Sequence, residues 1–111
     1  MTENEKKLLK DIESLILNID IHLEGRRVLL EFVTNVTKRR AVERELEIIG
    51  EATNNLLKIN PASELTQARK IVNLRNRVIH AYDAVDEILV WKIIVKDIPI
   101  LMEEVRQLLK R

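Results

Sequence analysis

The chain has 111 residues, the size of one small domain, which excludes a two-domain enzyme. Hydrophobic residues make up 46% and charged residues 33%, enough apolar side chain to build a core and too much for wholesale disorder. Two Gly, two Pro and no Cys exclude a Gly-rich phosphate loop, a turn-dense β sandwich, a disulfide framework and a thiolate metal site; 19 Lys+Arg against 18 Asp+Glu leave a net charge of +1, so an anionic partner has to be held by a local patch.

Met1 to Lys7 is polar and charged, so no secretory leader is expected. Apolar runs such as Ile98 to Met102 are too short to span a bilayer, and a cytoplasmic, membrane-free protein is expected. Leu8, Leu9, Ile12, Leu15, Ile16 and Ile19 recur at spacings of three and four and predict a helix from about Glu5 to His22, stopped near Gly25. A short helical stretch follows over Arg27 to Val36, carrying Val28, Leu29, Phe32, Val33 and Val36. The next runs from Lys38 to Lys58 through Ala41, Leu46, Ile48, Ile49, Ala52, Leu56 and Leu57. No Pro interrupts Lys38 to Asn60, so these two stretches either stay separate or join as one long helix bent near Asn35 to Arg39. Gly50 stands inside the strongest helical pattern at a cost of roughly 1 kcal/mol relative to Ala, which a close helix crossing, within the bundle or between subunits, would justify.

Asn60-Pro61 is a turn signal, and Ser63 would open a helix running from about Glu64 to Ile79. Ala81-Tyr82-Asp83 reads as a break, with Asp83 or Asp86 capping the last segment. That segment holds Ile88, Leu89, Trp91, Ile93, Ile94, Ile98, Ile100, Leu101, Val105, Leu108 and Leu109. Pro99 should kink or divide it, with Asp97 as cap of the second piece. With no linker or repeat, residues 1–111 read as a single all-α domain, an antiparallel bundle of four or five helices.

One stretch concentrates chemistry: Leu74-Arg75-Asn76-Arg77-Val78-Ile79-His80-Ala81-Tyr82. Asn76 and His80 share a helix face, Arg75 and Tyr82 share another if the helix lasts that long, and Ile71, Leu74 and Val78 form the apolar stripe behind them. Histidine exchanges protons near neutrality, arginine offers a planar fork for phosphate oxygens, and asparagine orients an imidazole or holds a phosphate or ribose group. Together they fit metal-free cleavage of a phosphodiester. One such His per chain is few for paired acid–base work, which a two-fold dimer would remedy. A structural role fits too, because a His near a helix C-terminus suits the dipole in its charged form.

Arg75 to Tyr82 resembles the R-x4-H-x-Y signature of the HepT-like toxins, a branch of the HEPN ribonuclease superfamily. Arg40-Ala41-Val42-Glu43-Arg44 leading into Leu46-Glu47-Ile48-Ile49-Gly50-Glu51-Ala52 resembles the family's second-helix pattern, and Val90-Trp91-Lys92-Ile93-Ile94 with Asp97-Ile98-Pro99 its C-terminal pattern. The three blocks come in family order from Arg40 onward. The resemblance implies a HEPN-type bundle acting as a homodimer, whose signature helices meet across the two-fold axis in a composite RNA-cleaving site. It makes Arg75 the signature arginine, His80 the signature histidine, Asn76 the polar residue after the arginine, and Tyr82 the signature tyrosine. It also implies a toxin–antitoxin partner, the minimal nucleotidyltransferase MntA, which inactivates the toxin by transferring AMP to that tyrosine. The bulky negative charge would then repel RNA beside the site. No cofactor and no metal are called for.

The remaining candidates are weaker. His22 reads as a surface or cap residue. Glu43, Glu47 and Glu51 form an acidic row without the Glu-x-x-His spacing of di-iron bundles and read as an ion-pair face. Lys38, Arg39, Arg40 and Arg44 form a basic cluster, either an exposed helix face or a contact for an acidic partner or for RNA phosphates, to which Arg77, Arg40 and Arg44 would contribute. Trp91 reads as core or interface, since 3% aromatics exclude a base-stacking platform. The expected function is a metal-independent endoribonuclease toxin with His80 as general base or acid, Arg75 on the scissile phosphate, Asn76 orienting and Tyr82 accepting AMP. The competing expectation is a non-catalytic subunit that docks a nucleotidyltransferase and its nucleotide.

Overall fold

The structure, a computed structural model, describes the backbone of residues 1–80 and 87–111 and the side chains of these except 75–80. The described residues are all-helical, with no strand among them. In chain order they form α1 (Glu3–His22), α2 (Leu29–Thr34), α3 (Val36–Ile59), α4 (Ala68–His80), α5 (Glu87–Lys92), a π-helical turn (Ile93–Asp97) and α6 (Ile98–Leu109). The last three follow one another without a break, so the fold is a bundle of five rods, α2 being a short one.

Thr2 caps α1 by accepting the Glu5 N–H at 3.1 Å, and Glu3 and Glu5 complement the positive end of the helix. The helix therefore begins slightly ahead of the expected Glu5. It stops as expected: Gly25 at φ +70° donates to the Asp20 carbonyl at 3.0 Å, and Glu24 before it also has positive φ. Asn35 settles the open question of the second and third stretches. Its φ of −90° and ψ of 97° break the helix, its N–H closes α2 on the Glu31 carbonyl, and its side chain caps α3 by accepting the Lys38 N–H at 3.0 Å. One polar side chain thus ends one helix and starts the next.

α3 packs against α1 on one side and α4 on the other, and α1 packs in turn against α6. Leu9, Ile12 and Ile19 of α1 meet Val42, Leu46, Ile49 and Leu56 of α3 and Leu101 and Val105 of α6, all within 1% of full burial. Burying a Leu, Ile or Val side chain is worth about 1.5–3 kcal/mol. The helix penalty of a β-branched residue is at most about 0.7 kcal/mol, so packing decides. Gly50 is buried within the chain itself, so the crossing it permits lies inside the bundle. α2 bridges α3 and α5, and its Phe32 stands 5.2 Å from half-buried Trp91, ring centroid to centroid.

Two boundaries differ from expectation. α4 starts at Ala68, several residues past Glu64, because the turn before it is held from outside: the Thr66 N–H donates to both carboxylate oxygens of Glu104 on α6, at 3.0 and 3.2 Å, while Ser63 receives only a long 3.4 Å contact from the Leu65 N–H. Around Pro99 the last segment passes from α5 through the π-turn to α6 without a break, and Asp97 stands at the N-cap position of α6 without acting as a side-chain cap. Asp97 has helical φ and ψ and makes no capping hydrogen bond; Pro99 sits in the first turn of α6, where no α-helical partner is lost, and the π-turn ahead of it carries the chain through, the Ile98 N–H donating to the Ile93 carbonyl. The expected break at Ala81-Tyr82-Asp83 and the caps Asp83 and Asp86 lie outside the described residues.

Candidate functional site

α4 is mounted on the bundle by Ala68, Ile71, Val72 and Leu74, all buried, against α3. The candidate residues occupy its C-terminal half. Arg75, Asn76 and Arg77 lie within the helix and His80 is its last residue. At 100° per residue, Asn76 and His80 stand about 40° apart on the helix, whereas Arg75 and His80 stand about 140° apart and rise about 7.5 Å along it. One copy of α4 therefore does not bring the Arg75 and His80 positions to one face. Tyr82 lies outside the described residues.

Arg40 and Arg44 are on the neighbouring helix, α3, one turn apart and exposed. Arg44 donates to Glu47 at 3.0 Å, while Arg40 has no ion-pair partner among the described residues. The other two members of that basic cluster are structural. Lys38 lies 3.6 Å from Glu31. Arg39 donates to the Val33 carbonyl at 2.5 Å and to Glu87 at 3.1 Å, tying α2, α3 and the first residue of α5 together. Beside it, burial pushes the Glu43 carboxyl above its ordinary range; Glu87 adds to the rise, and Arg39 and Arg40 oppose it.

His22 is engaged within the bundle. Its Nε2 lies 3.3 Å from Glu45, which joins the end of α1 to α3. Among the described residues no group of three or more His, Asp or Glu side chains is arranged to hold a metal ion. No described helix is long and apolar enough to cross a membrane.

One pairing escaped the sequence reading, in which Lys70 was not singled out and Asp97 was read only as a cap and as part of the C-terminal pattern. Asp97 in the π-turn is 2% exposed and lies 3.3 Å from the ammonium of Lys70, on the outer side of α4. Next to this pair, Lys70, Asn73 and Leu74 of α4 and Leu89 and Ile93 opposite line a groove. A sequence signal was present: residues 65–82 contain no Asp or Glu, yet carry Arg69, Lys70, Arg75 and Arg77.

Comparison with known proteins places these features. The family model described as "Ribonuclease HepT-like" matches residues 7–108. The Thermococcus cleftensis protein named "Probable ribonuclease HepT" is 33% identical over 115 residues, spanning 99% of this chain and 100% of its own. "Putative RNase MJ1380" of Methanocaldococcus jannaschii is 41% identical over 76 residues, 68% of this chain and 70% of its own. "Putative RNase TTE0752" of Caldanaerobacter subterraneus is 35% identical over 82 residues, 73% of each. No solved structure matches the chain significantly. A helical bundle matched by the family model over nearly its whole length means that the chain belongs to the ribonuclease HepT-like family.

Proposed function

We propose that this chain is a metal-independent endoribonuclease, acting in the cytoplasm as one domain over residues 1–111 and as a homodimer with a composite site. The observation that carries the reading is the placement of Arg75, Asn76 and His80 on the C-terminal half of an acid-free helix in a chain of the ribonuclease HepT-like family. His80 takes the proton of a ribose 2′-hydroxyl. The freed oxygen attacks the adjacent phosphorus, a 2′,3′-cyclic phosphate forms, and the bond to the 5′-oxygen breaks. That oxygen receives its proton from the imidazole of the second copy. Arg75 neutralises charge on the phosphorane-like transition state and Asn76 orients the imidazole or the phosphate. Because the nucleophile is part of the substrate, no metal-bound water is needed.

The 140° offset supports a site built by two copies, His80 from one and Arg75 from the other. Arg77, Arg40 and Arg44 extend the contact to RNA phosphates. The activity is held in check by a minimal nucleotidyltransferase of the MntA kind, as in toxin–antitoxin pairs: the Tyr82 hydroxyl attacks the α-phosphate of ATP, pyrophosphate leaves, and the bound AMP sets negative charge beside the site. The test is RNA cleavage in EDTA by protein made without that partner and shown by mass to be unmodified. The wild type should cut tRNA or mRNA, and His80→Ala and Arg75→Ala, folded and dimeric, should each lose at least about a hundredfold in rate. A folded, unmodified dimer that cuts neither RNA would transfer the reading to a non-catalytic subunit that docks the nucleotidyltransferase.

A further inference from the structure

α4 differs in charge from the other long helices. α1 and α3 mix both signs, whereas Ala68–His80 carries Arg and Lys and no carboxylate. At 100° per residue the positions of Lys70, Asn73, Arg77 and His80 fall within an arc of about 80°, on the side away from buried Ala68 and Ile71. Lys70 and Asn73 are exposed, and the groove they rim is floored by Leu74, Leu89 and Ile93. Lys70 does not wander at its edge. Asp97, one of two buried polar side chains among the described residues, holds the ammonium at 3.3 Å while the lysine side chain stays 52% exposed. A buried carboxylate is costly unless paired, so this pairing fixes a surface cation in place.

We propose that the groove between α4 and the α5–π-turn run is a subsite for single-stranded RNA, holding a nucleotide some way along the strand from the scissile phosphate. It rests on the ribonuclease reading above. Lys70 takes a phosphate oxygen, the Asn73 amide meets a base edge, and the apolar floor lies under the base. Along the helix axis Asn73 is about 10 Å and Lys70 about 15 Å from His80, a span that a few nucleotides of extended strand cover. A polyanion fits this stripe because no carboxylate on α4 opposes it. A protein partner of acidic surface is the other class of occupant, and the test separates the two.

The probes are 2′-O-methyl hexanucleotides of A, C or U, which lack the attacking hydroxyl and so report binding without cleavage, measured on the full chain by fluorescence anisotropy at several salt concentrations. Lys70→Gln should weaken binding roughly 3- to 10-fold and reduce the slope of log K against log salt by about 0.7, the value of one phosphate contact on a single strand, while Lys70→Arg retains both. Asn73→Ala, an exposed position whose loss leaves the fold intact, should flatten the preference among the three homopolymers. Unchanged affinity, slope and preference in Lys70→Gln and Asn73→Ala would overturn the subsite. So would a wild-type chain that binds none of the hexamers, which would turn attention to an acidic protein surface. Cleavage of long RNA by the wild type judges the ribonuclease reading separately, so the two can fail independently.

Discussion

Thr53 is the residue least suited to its surroundings. Its side chain is fully buried in α3, and its hydroxyl has no hydrogen-bond partner among the described residues. A hydroxyl left unpaired in a core costs roughly 1–3 kcal/mol. Thr53→Val keeps the branched shape and removes the polar group, so urea unfolding should show a midpoint raised by an amount corresponding to about 1 kcal/mol, with an unchanged slope. A lowered midpoint would mean that the hydroxyl is bonded in the working protein. Single residues also mark what the sequence disclosed. Arg75, Asn76 and His80 stood out because their types are rare together and match a signature. Lys70, Asn73 and Asp97 did not, because an Asp 27 residues from a Lys carries no spacing signal; only packing of the π-turn near α4 brings them within 3.3 Å.

At the scale of elements, periodicity predicted every rod, and the errors fell at ends. α1, α2 and α3 came within a few residues because their stops are local: a left-handed Gly25 and the double cap at Asn35. The start of α4 was misplaced because Glu104, far along the chain, supplies the partner for Thr66. Asp97 holds the expected N-cap position of α6 but makes no capping bond, because the π-turn makes none necessary. The contact of α3 with α5 has its own consequence for pH. Burial raises the Glu43 carboxyl above its ordinary 4.5, so the folded chain holds that proton more tightly than the unfolded chain. The sign follows: this group costs stability as pH rises above the unfolded value, and nothing where both states are protonated. Glu43→Gln should therefore melt at a higher temperature than the wild type at pH 7, and at the same temperature once the pH is well below 4.5. An equal difference at both pH values would assign the effect to shape and not to charge.

Over the whole molecule, a net charge of +1 concealed a strong local asymmetry, since carboxylates crowd α1 and α3 and are missing from 65–82. The all-α class and the family were readable from composition, periodicity and three ordered blocks. The site was readable as positions only: spacing sets those of Arg75 and His80 about 140° apart on one helix and says nothing of how two copies would meet. A composite site makes a sharp prediction. Because the mechanism uses the imidazoles of both copies, wild-type and folded His80→Ala chains unfolded together and refolded as an equal mixture should keep about a quarter of wild-type cleavage, the share of two-fold dimers with two His80, and not half. A mixture with half of wild-type cleavage would mean that each chain works with its own imidazole alone.

The π-turn bears on how the last rod meets the core. Its buried residues Val90, Ile94, Ile98, Leu101 and Val105 spread 15 residues over four turns, which in an unbroken α-helix would carry the stripe roughly 60° around the axis by its end. A wider turn takes up that drift midway, so α5 can face Phe32 while α6 still faces α1. In this bundle the turn serves as slack: among the described residues it is the stretch where the length of the chain and the register of its packing are uncoupled, and the carboxylate that reaches α4 sits at its very end.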